Sequence, residues 1–107
     1  MQFRFDHETL DVYKLSLEVS RWFSVADFPR GWAWLRDQGV RSAGSVPLNI
    51  AEGRSRAGAA RKNHYRIAMG SAAEACAVLD IIELPGGTEH QEKLRRVGAM
   101  LAKLSRV

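Results

Sequence analysis

The sequence predicts an all-α protein, an antiparallel up-down-up-down four-helix bundle in one domain spanning residues 1–107. Three observations carry that prediction. Apolar residues recur at helical spacing in four stretches. Three Pro/Gly-rich breaks separate the stretches: Phe28-Pro29-Arg30-Gly31, the small basic run Gly53 to Gly58, and Leu84-Pro85-Gly86-Gly87. No stretch alternates apolar and polar residues with β-branched enrichment, and 14 alanines favour helix.

The first helix is expected from about Asp6 to Ala26. Val12, Leu15, Val19, Trp22, Phe23 and Ala26 share its core stripe. Leu10, Tyr13 and Leu17 form a second stripe, which reads either as a surface for another subunit or as the edge of a wide core face. The second helix is expected from Trp32 to Gly53. Pro47 lies deep inside it, frees the carbonyl of Ala43 and predicts a kink, with Ser45 and Asn49 near enough in sequence to donate to a freed carbonyl. The third is expected from Ala59 to Leu84, with Tyr65, Ala68, Ala72, Ala75, Cys76 and Leu79 on one face and Ile67, Val78 and Ile81 roughly opposite. The fourth is expected from Thr88 to Ser105. Thr88 and Gln91 have capping-box spacing, and Leu94, Val97, Leu101 and Leu104 form a narrow seam. Four helices with short connections pack as a bundle.

Composition narrows the function. One cysteine excludes an internal disulfide, and the three histidines lack metal-ligand spacing, so no metal and no cofactor is expected. No run approaches a membrane span, and the acidic first 25 residues do not read as a secretory signal; a cytoplasmic protein with no membrane partner is expected. No nucleophile elbow, paired carboxylates or other catalytic pattern is present, so no catalytic residue is assigned and no enzyme is expected.

Two features stand out. Gln38, Arg41, Ser45, Asn49 and Glu52 are spaced three, four, four and three apart and so share one face of the second helix. They read either as a solvated face or as a partly buried network in which Gln38, Ser45 and Asn49 hold Arg41 and Glu52. The second feature is charge. Of 16 cations against 12 anions, five cations and no anion fall in residues 54–66: Arg54, Arg56, Arg61, Lys62 and Arg66. Arg54 and Arg56 follow a helix C-terminus, where cations complement the dipole. Arg61 and Lys62 sit near a helix N-terminus, where it disfavours them, and phosphate contact is one candidate explanation. Tyr65 could stack on a base, but its place among small residues predicts core. If copies close into a ring, the cationic turns repeat around the axis and their field adds.

Leu35-x-x-Gln38-x-x-Arg41-Ser42-Ala43, followed by Ser45-Val46-Pro47-Leu48-Asn49-Ile50-Ala51-Glu52-Gly53, resembles the signature of the four helix bundle protein family, also called 23S rRNA intervening-sequence proteins. Leu10-x-Val12-Tyr13, Phe28-Pro29, Tyr65, Ile67-Ala68-x-Gly70-Ser71 and Glu74 extend the resemblance over residues 5–84. Arg30-Gly31-Trp32-Ala33-Trp34 departs from the acidic residue and Tyr-Gly-Leu often found there. The resemblance implies an antiparallel bundle that assembles as a homopentamer, with no established enzymatic activity. It also implies a relationship to Avd, a basic pentameric accessory protein of diversity-generating retroelements that binds nucleic acid and partners a reverse transcriptase. Arg41, Ser45, Pro47, Asn49, Glu52, Gly53, Ser71 and Glu74 carry over from the family pattern, with a structural role expected for the polar set Arg41, Ser45, Asn49, Glu52, Ser71 and Glu74. The sequence thus leads to RNA or DNA binding by a homo-oligomer through Arg54, Arg56, Arg61, Lys62 and Arg66. The competing expectation is a scaffold for a protein partner such as a reverse transcriptase.

Overall fold

A computed structural model describes residues 2–106. A single 3-10 turn, Asp6–Thr9, precedes four helices: α1 Asp11–Val25, α2 Ala33–Arg54, α3 Gly58–Ile81 and α4 Gly87–Ser105. Among the described residues there is no strand. Each helix packs on its neighbours in the chain, and α4 closes back on α1, while no Cα atoms of the diagonal pairs come within 8 Å among the described residues. Residue pairings give each contact an antiparallel register. Phe23 meets Gly39 between α1 and α2, Ser45 meets Ser71 between α2 and α3, Gln91 meets Asp80 between α3 and α4, and Lys93 meets Glu18 between α4 and α1.

The expected first helix is divided. Leu10 is extended, with φ −76° and ψ 127°. The short turn before it is held locally: the Phe5 N–H donates to a Glu8 carboxylate oxygen at 2.7 Å, and the Thr9 hydroxyl donates to the carbonyl of Asp6. The buried stripe of α1 is Val12, Ser16, Val19 and Phe23, with Leu15 and Trp22 only half-buried. Ser16 is tolerated in the core because its hydroxyl donates to the Tyr13 carbonyl at 2.8 Å, which satisfies it within its own helix. Leu10, Tyr13 and Leu17 are half-buried, and Leu10 and Tyr13 pack on the core edge.

α2 continues through the buried Pro47 without interruption. Asn49 serves the Ser45 carbonyl, 2.9 Å away, and not that of Ala43. Two glycines set how closely the neighbours approach. A Cβ at Gly39 would stand 2.7 Å from Cε1 of Phe23, and one at Gly53 would stand 2.8 Å from Cε1 of Tyr65. The two rings therefore rest directly on the α2 backbone, one from α1 and one from α3.

The buried face of α3 is Tyr65, Ala68, Ala72, Ala75, Val78 and Leu79. Val78, expected on the far side, is inside, and Cys76 is half-buried. Burial also raises the Cys76 thiol pKa above its ordinary value. α4 buries His90, Leu94, Val97 and Leu101. Its expected capping box does not form. Gly86 precedes the helix in the left-handed region, and Gln91 reaches across to α3, donating to the Cys76 carbonyl at 3.1 Å and to Asp80 Oδ1 at 2.8 Å.

Candidate nucleic-acid interface

The basic segment forms the reversal between α2 and α3. α2 ends at Arg54, Ser55 stays in the right-handed helical region, and the chain turns through Ala57 (extended) and Gly58, whose φ of +58° favours glycine. The final carbonyls of a helix lack partners of their own helix. Here the Ser55 N–H and hydroxyl serve the Ala51 and Glu52 carbonyls, the Arg56 N–H serves that of Gly53, and Arg61 adds a donor to the last two. Its Nε donates to the Gly53 carbonyl at 3.1 Å and its Nη2 to the Arg54 carbonyl at 3.0 Å. A planar fork of donors suits two adjacent carbonyls. The dipole mismatch at the start of α3 is thus answered by the negative end of α2, and phosphate is not needed to explain a cation at position 61.

The other four cations fall into three environments. Arg56 Nε lies 3.4 Å from Glu52 Oε2 and forms an exposed ion pair. The Arg56 guanidinium, with the Ser55 hydroxyl at 3.1 Å, holds the Glu52 carboxyl below its ordinary pKa. Arg54 is half-buried, and its Nε is buried with no hydrogen-bond partner among the described residues. Lys62 and Arg66 are exposed, one helical turn apart on α3, and no carboxylate lies within ion-pair distance of either among the described residues.

The polar line on α2 divides. Arg41, Glu52 and Gln38 are exposed, as is Glu74; at these positions the chain matches the solvated-face reading, and among the described residues no hydrogen bond from Gln38, Ser45 or Asn49 reaches Arg41 or Glu52. Instead Ser45 and Asn49 connect to α3. Asn49 Nδ2 donates to Ser45 Oγ at 3.0 Å, the Ser71 hydroxyl donates to Ser45 Oγ at 2.8 Å, and Asn49 Oδ1 lies 3.0 Å from His64 Nδ1. The Asn49 orientation that serves Ser45 leaves Oδ1 as an acceptor, so His64 carries its proton on Nδ1. The cluster crosslinks α2 and α3 immediately beside the turn. Sequence spacing on one helix could not reveal His64; its signal is that positions 49 and 64 lie at similar distances either side of the turn.

The outer side of the α2–α3 pair also carries exposed apolar side chains. Leu48 and Trp34 on α2 are 72% and 59% exposed, and Ile67 and Ile81 on α3 are exposed as well. The register that joins Ser45 to Ser71 and Gly39 to Val78 puts Leu48 near the level of Ile67 and Trp34 near that of Ile81. A further feature lay outside the sequence reading: aromatic side chains of the N-terminal segment stand beside Ser55 at the same end of the molecule. Among the described residues no cluster of His, Cys, Asp or Glu could hold a metal ion, and no helix is long and apolar enough to cross a membrane.

Fold and turn together define a small four-helix protein whose α2–α3 elbow is cationic and internally braced. The family model described as 23S rRNA-intervening sequence protein matches residues 8–106, and the chain belongs to that family. Comparison with curated proteins and with solved structures gave no match.

Proposed function

We propose that the protein is a non-enzymatic homo-oligomer, a pentamer, that binds RNA or DNA through the α2–α3 turn. The supporting observation is the pair of uncompensated cations, Lys62 and Arg66, one turn apart beside a braced elbow. In this reading Lys62 and Arg66 contact phosphate directly. Arg54 and Arg56 add positive potential, and Arg61 positions the turn while adding its own. The Ser45–Asn49–His64–Ser71 cluster holds α2 and α3 in place; Arg41, Glu52 and Glu74 lie outside it on the surface. The apolar residues Trp34, Leu48, Ile67 and Ile81 supply the surface that copies bury against one another, since exposed apolar patches mark association sites.

Fluorescence-monitored RNA and DNA binding across a salt series tests the reading. Lys62→Gln with Arg66→Gln should weaken binding and lower the salt slope by about two, one for each lost phosphate contact. An unchanged slope removes this pair as the site. Light scattering should give about five times the chain mass of 12.0 kDa. A monomer with no affinity for nucleic acid would favour the competing reading, in which the same apolar face receives a protein partner such as a reverse transcriptase.

A further inference from the structure

The N-terminal segment carries an aromatic ladder. The rings of Phe3 and Phe5 meet edge to face with centroids 5.0 Å apart, Phe5 and His7 stack at 6.0 Å, and His7 meets Tyr13 of α1 edge to face at 4.6 Å. The ladder is anchored at both levels, by the Phe5 N–H on the Glu8 carboxylate and by the His7–Tyr13 contact with α1. Its outer rungs are nonetheless open to solvent, with Phe3 76% and Phe5 61% exposed. Burial of such rings is favourable, so two held in the open represent unused contact area. A cleft of about 240 Å³ runs between residues 3–7 and Ser55, lined by Phe3, Arg4, Phe5, Asp6 and His7. Ser55 is flanked by Arg54 and Arg56, and Arg4 stands between the two phenylalanines; Asp6 is the one acid lining the cleft.

Exposed aromatic rings with Arg4 between them, beside the positive α2–α3 turn, fit a strand of unpaired bases on a phosphate backbone: each base has a π-face to stack, and each phosphate a charge to meet. A duplex keeps its bases stacked on each other and offers these rings nothing. We propose that Phe3 and Phe5 are a stacking platform for unpaired bases, and that the protein therefore prefers single-stranded to double-stranded nucleic acid. This rests on the proposed binding at the α2–α3 turn and adds its substrate class. Tyr65 takes no part, because it is buried under Gly53.

The test compares a single-stranded oligouridine, the same oligomer with abasic positions, and an RNA duplex, each against the wild-type protein and the Phe3→Leu/Phe5→Leu variant. Leucine keeps apolar bulk without a planar face, and both positions are exposed, so the fold is retained. The expected result is a loss of about tenfold or more for the oligouridine in the variant, with duplex binding unchanged. The abasic oligomer should bind wild type as weakly as the oligouridine binds the variant. Equal affinity of wild type for single strand and duplex, or no loss in the variant, overturns the platform and leaves binding at the turn standing. Absence of any binding by wild type overturns both. A fall in oligomer mass in the variant would mean that a second copy covers the ladder, which also overturns the platform.

Discussion

At the α2–α3 turn the terminal carbonyls of α2 are met by the Arg61 guanidinium, and the surroundings are polar and cationic. At the α3–α4 turn no Lys or Arg side chain takes part among the described residues. There the chain reverses through Leu84-Pro85-Gly86, with the Gly87 N–H on the Leu84 carbonyl at 2.9 Å and Gly86 at φ +83°. His90 Nδ1 donates to the Gly86 carbonyl at 2.8 Å, and the His90 ring stacks on Trp22 at 4.2 Å. One reversal is thus closed by charge and left open to solvent, while the other is closed by stereochemistry and ring packing. The contrast separates structural charge from available charge. Of the five cations in the basic segment, Arg61 is committed to the fold, Arg56 is paired, Arg54 is half-buried, and Lys62 and Arg66 are exposed with no carboxylate within ion-pair distance among the described residues.

The largest effect is expected at the packed turn. Trp22→Ala removes the stack on His90 and the contacts with Phe23 and Gly86, and should cost about 3 kcal/mol in urea unfolding, since large-to-small changes lose both transfer energy and packing. Nucleic-acid affinity should not follow. At the charged turn Arg61→Ala should cost about 2 kcal/mol, because two carbonyls lose a charged donor. Arg61→Lys should recover less than half of that, as an ammonium lacks the planar fork; full recovery would show that charge alone closes this turn. Gly86→Ala should cost about 1 kcal/mol or slightly more, from the left-handed backbone and a Cβ 3.2 Å from Trp22 Nε1. Tyr65→Phe should leave stability unchanged or raise it by up to about 1 kcal/mol, because the buried Tyr65 hydroxyl has no partner among the described residues.

The smallest effect belongs to Glu52. Its carboxyl pKa is lowered in the folded state by Arg56 and Ser55, so its contribution is present above the ordinary glutamate value of 4.5 and lost as pH falls through the lower folded value. Wild type should melt slightly above Glu52→Gln at neutral pH and the two should converge in acid. Added salt should shrink the difference at neutral pH, as the pair is exposed.

Much of this arrangement was legible in the residues. Four helices followed from periodicity and the three breaks, and Leu94, Val97 and Leu101 are buried where the seam placed them. The break at Leu10 was not legible, because Asp6-His7-Glu8-Thr9 holds neither a Pro or Gly to mark a break nor an apolar residue whose phase would show one. Ser16 escaped notice because a hydroxyl reads as polar, although its own helix satisfies it. Thr88 and Gln91 have the spacing of a cap, but the helix already begins at Gly87 and the glutamine bonds to α3 instead. The site residues divided for the same reason. Spacing along one helix shows which residues share a face. It does not show that Asn49 answers to His64, or that Arg61 reaches back to Gly53 and Arg54.

The seat of Tyr65 on Gly53 acts as an angular index for α3. Successive residues of an α-helix are separated by about 100° of rotation, so a slip of one position would carry Lys62 and Arg66 more than a quarter-turn around the helix axis. A ring pressed against bare backbone blocks that slip at the third position after Lys62 and the one before Arg66. The bearing of the two cations is therefore set by a glycine on another helix, and any side chain introduced at position 53 should re-aim them without touching either.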